Sequence, residues 1–319
     1  VKTHPIDPEK PDSENAKPLH CAIVGCGRVA QKHLKAIKHH RADLFLSGLV
    51  DTRPDAARSL LRQAGYSGTD AAYIPVYGSL DDLLSREKPD IVAITTPSGS
   101  HYSLAKAALM AGAHVFVEKP LTLSLPEADE LIDLAAENGL QITVGHIYRF
   151  FPMVRAIEAD LRKGRFGRPL YGDVKVRWGH DQAYYDAAAW RGTWAQDGGV
   201  LMNQSIHALD LMTWLLGGSV VEACGWIDRQ MHQIEAEDLG LALLKLDNNA
   251  YCQLEGSTST DPRHPEASFT IECSAGEIKA GLLSGRPVIR IRDRRGKSQT
   301  GRYVRRFLKE TWQQGGIRA

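Results

Sequence analysis

Cysteine is scarce in this chain. Cys21, Cys26, Cys224, Cys252 and Cys273 are the only five in 319 residues, and no two are spaced as C-x-x-C. An odd, unpaired set excludes a disulfide framework and a cysteine-based zinc site, and it fits the reducing cytoplasm; no metal is expected. Long apolar runs are absent too. None approaches the ~20 residues that a spanning helix needs, so membrane insertion is not expected. A surplus of one charge is also missing. Lys and Arg number 39 against 38 Asp and Glu, a net charge of +1. Such a balance offers no field to hold nucleic acid or a membrane surface.

The balance hides an asymmetry. From Arg286 to Ala319 there are 11 Lys/Arg and 2 Asp/Glu. This end reads as a solvated edge strand followed by a charged tail, with an anion-binding or oligomer-contact role as the alternative. The other end, Val1 to Lys17, is polar, acidic and proline-rich, without the apolar core of a signal peptide. Residues 1–18 are expected to be a disordered lead-in.

Between these ends the hydrophobic pattern has two grammars. From Leu19 to about residue 147 short apolar runs alternate with amphipathic stretches. Cys21–Val24, Leu44–Val50, Asp90–Thr95, Val115–Val117 and Ile142–Val144 read as strands. Arg28–His40, Ser79–Arg86, Pro97–Met110 and Leu125–Asn138 read as helices, and Pro54 opens another. Such alternation predicts an α/β domain, a doubly wound parallel sheet of Rossmann type at 19–147. Residues 148–319 predict an α+β domain on a mostly antiparallel open sheet. Its helices are expected at Met153–Arg162 and Gly199–Leu216. Its strands are expected at Tyr171–Trp178, Val220–Asp228, Leu239–Leu246, Ala250–Thr258, Ser268–Ser274 and Val288–Ile291.

Gly25-Cys26-Gly27-Arg28-Val29-Ala30 is G-x-G-x-x-A between a strand and a helix. The first glycine makes the tight turn, the second lets a pyrophosphate approach the backbone, and the small sixth residue allows close helix–strand packing. Asp51 closes the second strand, where a carboxylate accepts the adenosine ribose hydroxyls and favours NAD over NADP. Arg53, two residues on, is the competing signal for a 2′-phosphate. Thr95-Thr96-Pro97 ends the fourth strand where pyrophosphate and ribose pass, and His101 follows on its helix.

Together these motifs resemble the glucose–fructose oxidoreductase / inositol dehydrogenase / rhizopine-catabolism (Gfo/Idh/MocA) family. The resemblance is carried by G-C-G-R-V-A-x-x-His33 and by Thr96-Pro97-x-x-x-His101. It continues through Ala111-Gly112-x-His114-Val115-x-x-Glu118-Lys119-Pro120 and Gly145-x-x-x-Arg149-Phe150-x-Pro152. Trp190-Arg191-Gly192-Thr193-Trp194 and Asp197-Gly198-Gly199-x-Leu201-x-Asn203-x-x-x-His207-x-x-Asp210 complete it. The Met202-to-His207 run is similar to UDP-N-acetylglucosamine and UDP-N-acetylglucosaminuronate 3-dehydrogenases of surface-polysaccharide synthesis.

The resemblance implies an oxidoreductase that moves a hydride from a secondary sugar hydroxyl to NAD, C3 of a UDP-linked N-acetylhexosamine or its uronate being the substrate position. The alternatives are a free-sugar or inositol dehydrogenase, a ketosugar reductase of the same fold, and a non-catalytic NAD- and sugar-binding regulator. Lys119 is implied to hold the reacting hydroxyl and His207 to take its proton. The chemistry is sound on its own terms, because a neutral imidazole suits proton abstraction near pH 7 and a cation stabilises the developing alkoxide. Gly25, Cys26, Gly27, Arg28, Val29, Asp51, Thr95, Pro97, His101, Glu118 and Lys119 are implied to line the cofactor. Tyr148, Arg149, Arg177, Trp190, Arg191 and Asn203 join Lys119 and His207 around the substrate. Many relatives carry Asp where this chain has Asn203; i, i+4 spacing on a helix would put it on the face of His207, able to orient substrate or ring. Assembly as a dimer or tetramer is expected.

Overall fold

The computed structural model describes residues 17–313. The expected lead-in falls almost wholly outside them, as do residues 314–319. Six strands form the first sheet: β1 (Leu19–Val24), β2 (Leu44–Val50), β3 (Val76–Tyr77), β4 (Ile91–Ile94), β5 (His114–Val117) and β6 (Ile142–Val144). Their order is β3-β2-β1-β4-β5-β6, and β1 lies parallel to both neighbours. The last four residues of β1 and the last five of β2 are all buried. Such unbroken apolar strands are what a parallel sheet covered on both faces requires. The order reverses beside β1, which leaves a crevice at the carboxyl ends of β1 and β4.

The second sheet has seven strands: β7 (Pro169–Arg177), β8 (Val220–Asp228), β9 (Leu239–Leu246), β10 (Tyr251–Ser257), β11 (Glu266–Cys273), β12 (Gly276–Leu283) and β13 (Arg286–Asp293). They run in the order β13-β12-β11-β7-β10-β9-β8. Neighbouring strands pair antiparallel throughout, except β10 with β7. Along β7 and β11 buried residues alternate with half-buried ones, so one face packs and the other does not. On the packed face lie the helices Pro152–Arg162 and Ile206–Leu216, with Ile157, Met212, Ile271 and Ile278 fully buried between the layers. Gly172 on β7 makes the close approach possible, since a Cβ there would lie 2.5 Å from Met212 Sδ.

The chain folds as two units. One runs to Thr96 and adds Ser103–Phe116 and Leu131–Ile142; the other holds Pro97–Tyr102, Val117–Glu130 and everything from Thr143 onward. Lys119, Asn203 and His207 therefore share a unit.

Three differences from the expected elements have physical causes. The strand β12 lies outside the expected set; its apolar alternation at Ile278, Ala280 and Leu282 is short and flanked by glycine. Among its described residues the basic end differs from a charged tail: β13 is the edge strand as expected, but Thr300–Gln313 forms a helix. Tyr303 of that helix is buried and donates its hydroxyl to the buried Asp160, 2.5 Å away. Finally, the helix expected at Gly199–Leu216 is not uniform. Leu201–Ser205 forms a π turn, and α geometry begins at Ile206.

Candidate functional site

In the first unit the turn after β1 is held from below. Gly25 has φ +88°, and a Cβ added there would lie 2.7 Å from Thr96 Cγ2. Thr95 donates its hydroxyl to Gly25 O at 2.5 Å. The Asp51 carboxylate accepts from Cys26 N–H and from Arg53 N–H, each at 2.8 Å. Each oxygen still has a lone pair free for a ribose hydroxyl. Arg53 is 80% exposed, with Nε 3.9 Å from Asp51. Such a loosely held pair leaves the carboxylate to dominate the strand end.

Gly27 tests whether a dinucleotide fits. Its φ is not in the left-handed region, and a Cβ would meet nothing within 4 Å. The protein itself therefore has no need of glycine here, whereas a pyrophosphate lying against the backbone does. Gly27, Arg28 and Val29 are exposed just ahead of the helix Ala30–His39, whose first N–H groups and positive dipole end face the same opening.

Two expected cofactor residues act differently. The Cys26 side chain is buried under the turn, with its thiol pushed up to about 12 by burial and the Asp51 charge, so only its backbone serves the turn. Thr95 is buried and its hydroxyl braces the turn from beneath.

The second unit gathers the groups expected to handle the proton. Lys119 follows β5, and His101, 1% exposed, meets Pro120 O through Nδ1 at 2.7 Å. His101 thus buttresses the Lys119 segment from the interior. Lys119 Nζ donates to Asn203 O at 2.6 Å and to Asn203 Oδ1 at 3.2 Å. The Asn203 amide NH₂ donates in turn to Asp197 Oδ1, and Asp197 Oδ2 accepts from Gly192 N–H at 2.9 Å. Burial lowers the Lys119 pKa, opposed by the charges of Glu118 and Asp197. Burial likewise raises Asp197.

His207 lines a cavity of about 260 Å³ with Tyr148, Trp178, Gln204 and Phe269. Its ring lies 5.1 Å from that of Tyr148 and 6.2 Å from that of His146. Burial, then the positive charge of Lys119, then His146, push its pKa down to about 4. His207 is thus neutral at physiological pH, and its buried Nδ1 has no hydrogen-bond partner. The expectation that Asn203 orients this ring is corrected: the π turn separates the two, and Asn203 engages Lys119 and Asp197 instead.

Two of the three expected arginines are already neutralised. Arg149 forks onto Asp210, with Nε 2.8 Å from Oδ2. Arg177 forks onto Glu255 and also reaches Glu266 at 3.3 Å. Neither has a free charge for a diphosphate. Arg191 differs: its guanidinium stacks 4.2 Å from the Tyr184 ring centroid, and its buried Nε has no hydrogen-bond partner. It borders a larger cavity of about 670 Å³ with Tyr185, Thr193, Arg229 and His232. Trp190 is half-buried beside Arg191, while Trp178, to which no sequence motif points, reaches the His207 cavity. His146 and Asp197 likewise join the site without being among its expected residues. Asp197 carries a signal in the sequence, a carboxylate directly preceding two glycines; His146 carries none.

The turn and the imidazole can each be tested. Gly25→Ala should lower stability by about 1–3 kcal/mol through backbone strain and the Thr96 contact, visible as a lower melting temperature. Gly27→Ala should melt like the parent yet bind NADH at least about tenfold more weakly in a fluorescence titration. Unchanged NADH affinity in Gly27→Ala would remove the turn as the pyrophosphate cradle. For the imidazole the measurement is a proton NMR titration of the His207 ring, assigned by its loss in His207→Gln. Its midpoint should lie near 4 rather than 6.5. Between those values the unfolded chain binds a proton that the folded chain refuses, so this group lets stability fall as pH drops from 6.5 toward 4. A midpoint at or above 6.5 would contradict a buried neutral imidazole.

Known proteins resemble this chain in sequence and fold. Residues 19–146 match the NAD-binding Rossmann fold of the Gfo/Idh/MocA oxidoreductase family, and residues 154–279 match that family's C-terminal domain. The WlbA dehydrogenase of Bordetella pertussis, solved with NADH and UDP-GlcNAcA, is 32% identical. It superposes with a TM-score of 0.78 over 86% of this chain and 80% of its own. The UDP-N-acetylglucosamine 3-dehydrogenase of Acidithiobacillus ferrooxidans is 29% identical over 64% of this chain and 56% of its own. The scyllo-inositol 2-dehydrogenase (NAD(+)) of Bacillus subtilis is 27% identical over 83% of this chain and 74% of its own. Matches to several curated relatives span 54–64% of those proteins' length. The nucleotide turn that needs a second glycine only for a ligand thus sits in a chain that belongs to the Gfo/Idh/MocA oxidoreductase family and carries its NAD-binding Rossmann domain.

Proposed function

We propose that this protein is an NAD-dependent dehydrogenase that oxidises a secondary hydroxyl of a sugar, with C3 of a UDP-linked N-acetylhexosamine or its uronate as the substrate position. The observation that carries the reading is a neutral His207, its Nδ1 without a hydrogen-bond partner, in a cavity within the electrostatic reach of the Lys119 cation. A bound nicotinamide supplies the two-electron acceptor. The residues of the chain handle the oxygen and its proton. Lys119 has three N–H donors, and Asn203 takes two of them, so one remains for the substrate hydroxyl. His207 accepts the hydroxyl proton as the carbon becomes a ketone. The cation that lowers His207 also lowers the alcohol beside it, so proton transfer does not run uphill by the whole of the imidazole's shift.

The nucleotide-sugar part rests on the Bordetella pertussis and Acidithiobacillus ferrooxidans relatives and on Arg191, whose charge has no carboxylate within ion-pair distance among the described residues. A free sugar or inositol is the second reading. It is favoured by the ion pairs that neutralise Arg149 and Arg177. Calorimetry with UDP, a UDP-N-acetylhexosamine and the matching free sugar, each with NAD present, separates the two. UDP should bind by itself and the UDP-sugar far more tightly than the free sugar, because remote phosphates and base orient the reacting carbon. Binding of free sugar without binding of UDP selects the second reading. With the preferred sugar, His207→Ala should lower turnover by about 100-fold or more; near-parental turnover removes His207 as the base.

Self-association belongs to the same proposal. Trp226, Leu241, Leu243 and Tyr251 are 78%, 43%, 56% and 52% exposed on adjacent strands β8, β9 and β10. An apolar stretch of this kind on an open sheet suits a second copy of the chain. Sedimentation should give a dimer or tetramer, and Trp226→Glu should shift it toward monomer. A monomer in the parent protein would refute it.

A further inference from the structure

Lys119 is half-buried and is held by Asn203. Asn203 presents two oxygens to the ammonium, its backbone carbonyl at 2.6 Å and its side-chain carbonyl at 3.2 Å. An amide end can turn over, and nothing in Asn203 itself says which way. Asp197 decides. A carboxylate only accepts, so it takes the NH₂ end of Asn203 and leaves the C=O end toward Lys119, where an ammonium only donates. The other Asp197 oxygen is pinned by Gly192 N–H at 2.9 Å, and the residue is 3% exposed.

We propose that Asp197 is a positioning residue that works through the Asn203 carboxamide: it fixes the amide orientation and holds both the place and the proton of Lys119. The proposal rests on the reading of Lys119 as the group that meets the substrate hydroxyl. Charged and titratable groups around Lys119 come from several elements. Glu118 precedes it in the chain, Asp197 approaches from the loop before the π turn, and His146 and His207 feel its charge from their own elements. Glu118 and Asp197 favour the charged lysine, and burial opposes it. Asp197 acts in a second way as well, through the hydrogen bonds that link it to Lys119 by way of Asn203. Losing it removes a charge and one of the two side-chain hydrogen bonds that hold the amide.

The test needs no substrate. The ¹³Cε resonance of Lys119 in the full chain, assigned by its loss in Lys119→Arg, is titrated in the parent and in Asp197→Asn. The proton affinity of Lys119 should fall by roughly threefold to tenfold in the variant, at unchanged thermal melting. If Asp197→Asn does not fold, Asn203→Leu breaks the bridge while leaving both charges, and it should move the same midpoint in the same direction. An unmoved midpoint in whichever variant folds overturns the proposal. That outcome differs from a failed sugar reading, which shows in ligand binding and in His207→Ala turnover while the Lys119 titration stays as stated.

Discussion

The hydrogen bonds from Lys119 Nζ to Asn203 tie together parts of the chain that are 84 residues apart. A buried ammonium is costly unless its donors are satisfied. The segment after β5 therefore cannot be placed without the π turn, and the π turn cannot be placed without the loop that carries Asp197. Glu237 fixes that turn from its other side, accepting from Leu201 N–H at 3.0 Å. His207, at the start of the α geometry, inherits its position from all of these. Burial then sets the electrostatics. It keeps the imidazole neutral, though a weaker base than in water, and weakens the lysine's hold on its proton.

Much of this is legible in the sequence, for identifiable reasons. The Rossmann part is written in unbroken buried strands and in a glycine pair whose second member has no use inside the protein. Lys119 and His207 are legible because their neighbours repeat a family pattern. The partners of the arginines are not. Whether Arg149 meets Asp210 or a ligand depends on how the chain brings together residues 61 positions apart, and local pattern carries no information about that. The role of Asn203 escapes the sequence for a related reason: the i, i+4 rule presumes α geometry, and the π turn breaks the assumption where it matters. Asp197 and His146 act through contacts made only after folding.

The ion pairs also decide which charges of the second unit are already matched within the protein. Arg149 and Asp210 cancel one another beside the His146 ring, whose Nδ1 is 3.6 Å from Asp210 Oδ2. Arg177 is held between Glu255 and Glu266. Lys119 is shielded on one side by Asn203, and Arg191 is backed by the face of Tyr184. The stacking and a hydrogen bond from Arg191 to Tyr184 O together hold that guanidinium in place.

The π turn at Leu201–Ser205 has a consequence for how this protein can change. A π turn is one residue more than an α-helix needs, carried as a defect at some cost in stability. Removing one residue there would let the helix run straight and make it more regular. The same deletion would rotate everything before it by about 100° relative to everything after it, so Asn203 and His207 could no longer both keep their stations. A stabilising lineage and a working one would thus part at a single codon, and variants selected only for heat resistance should be screened for loss of this turn.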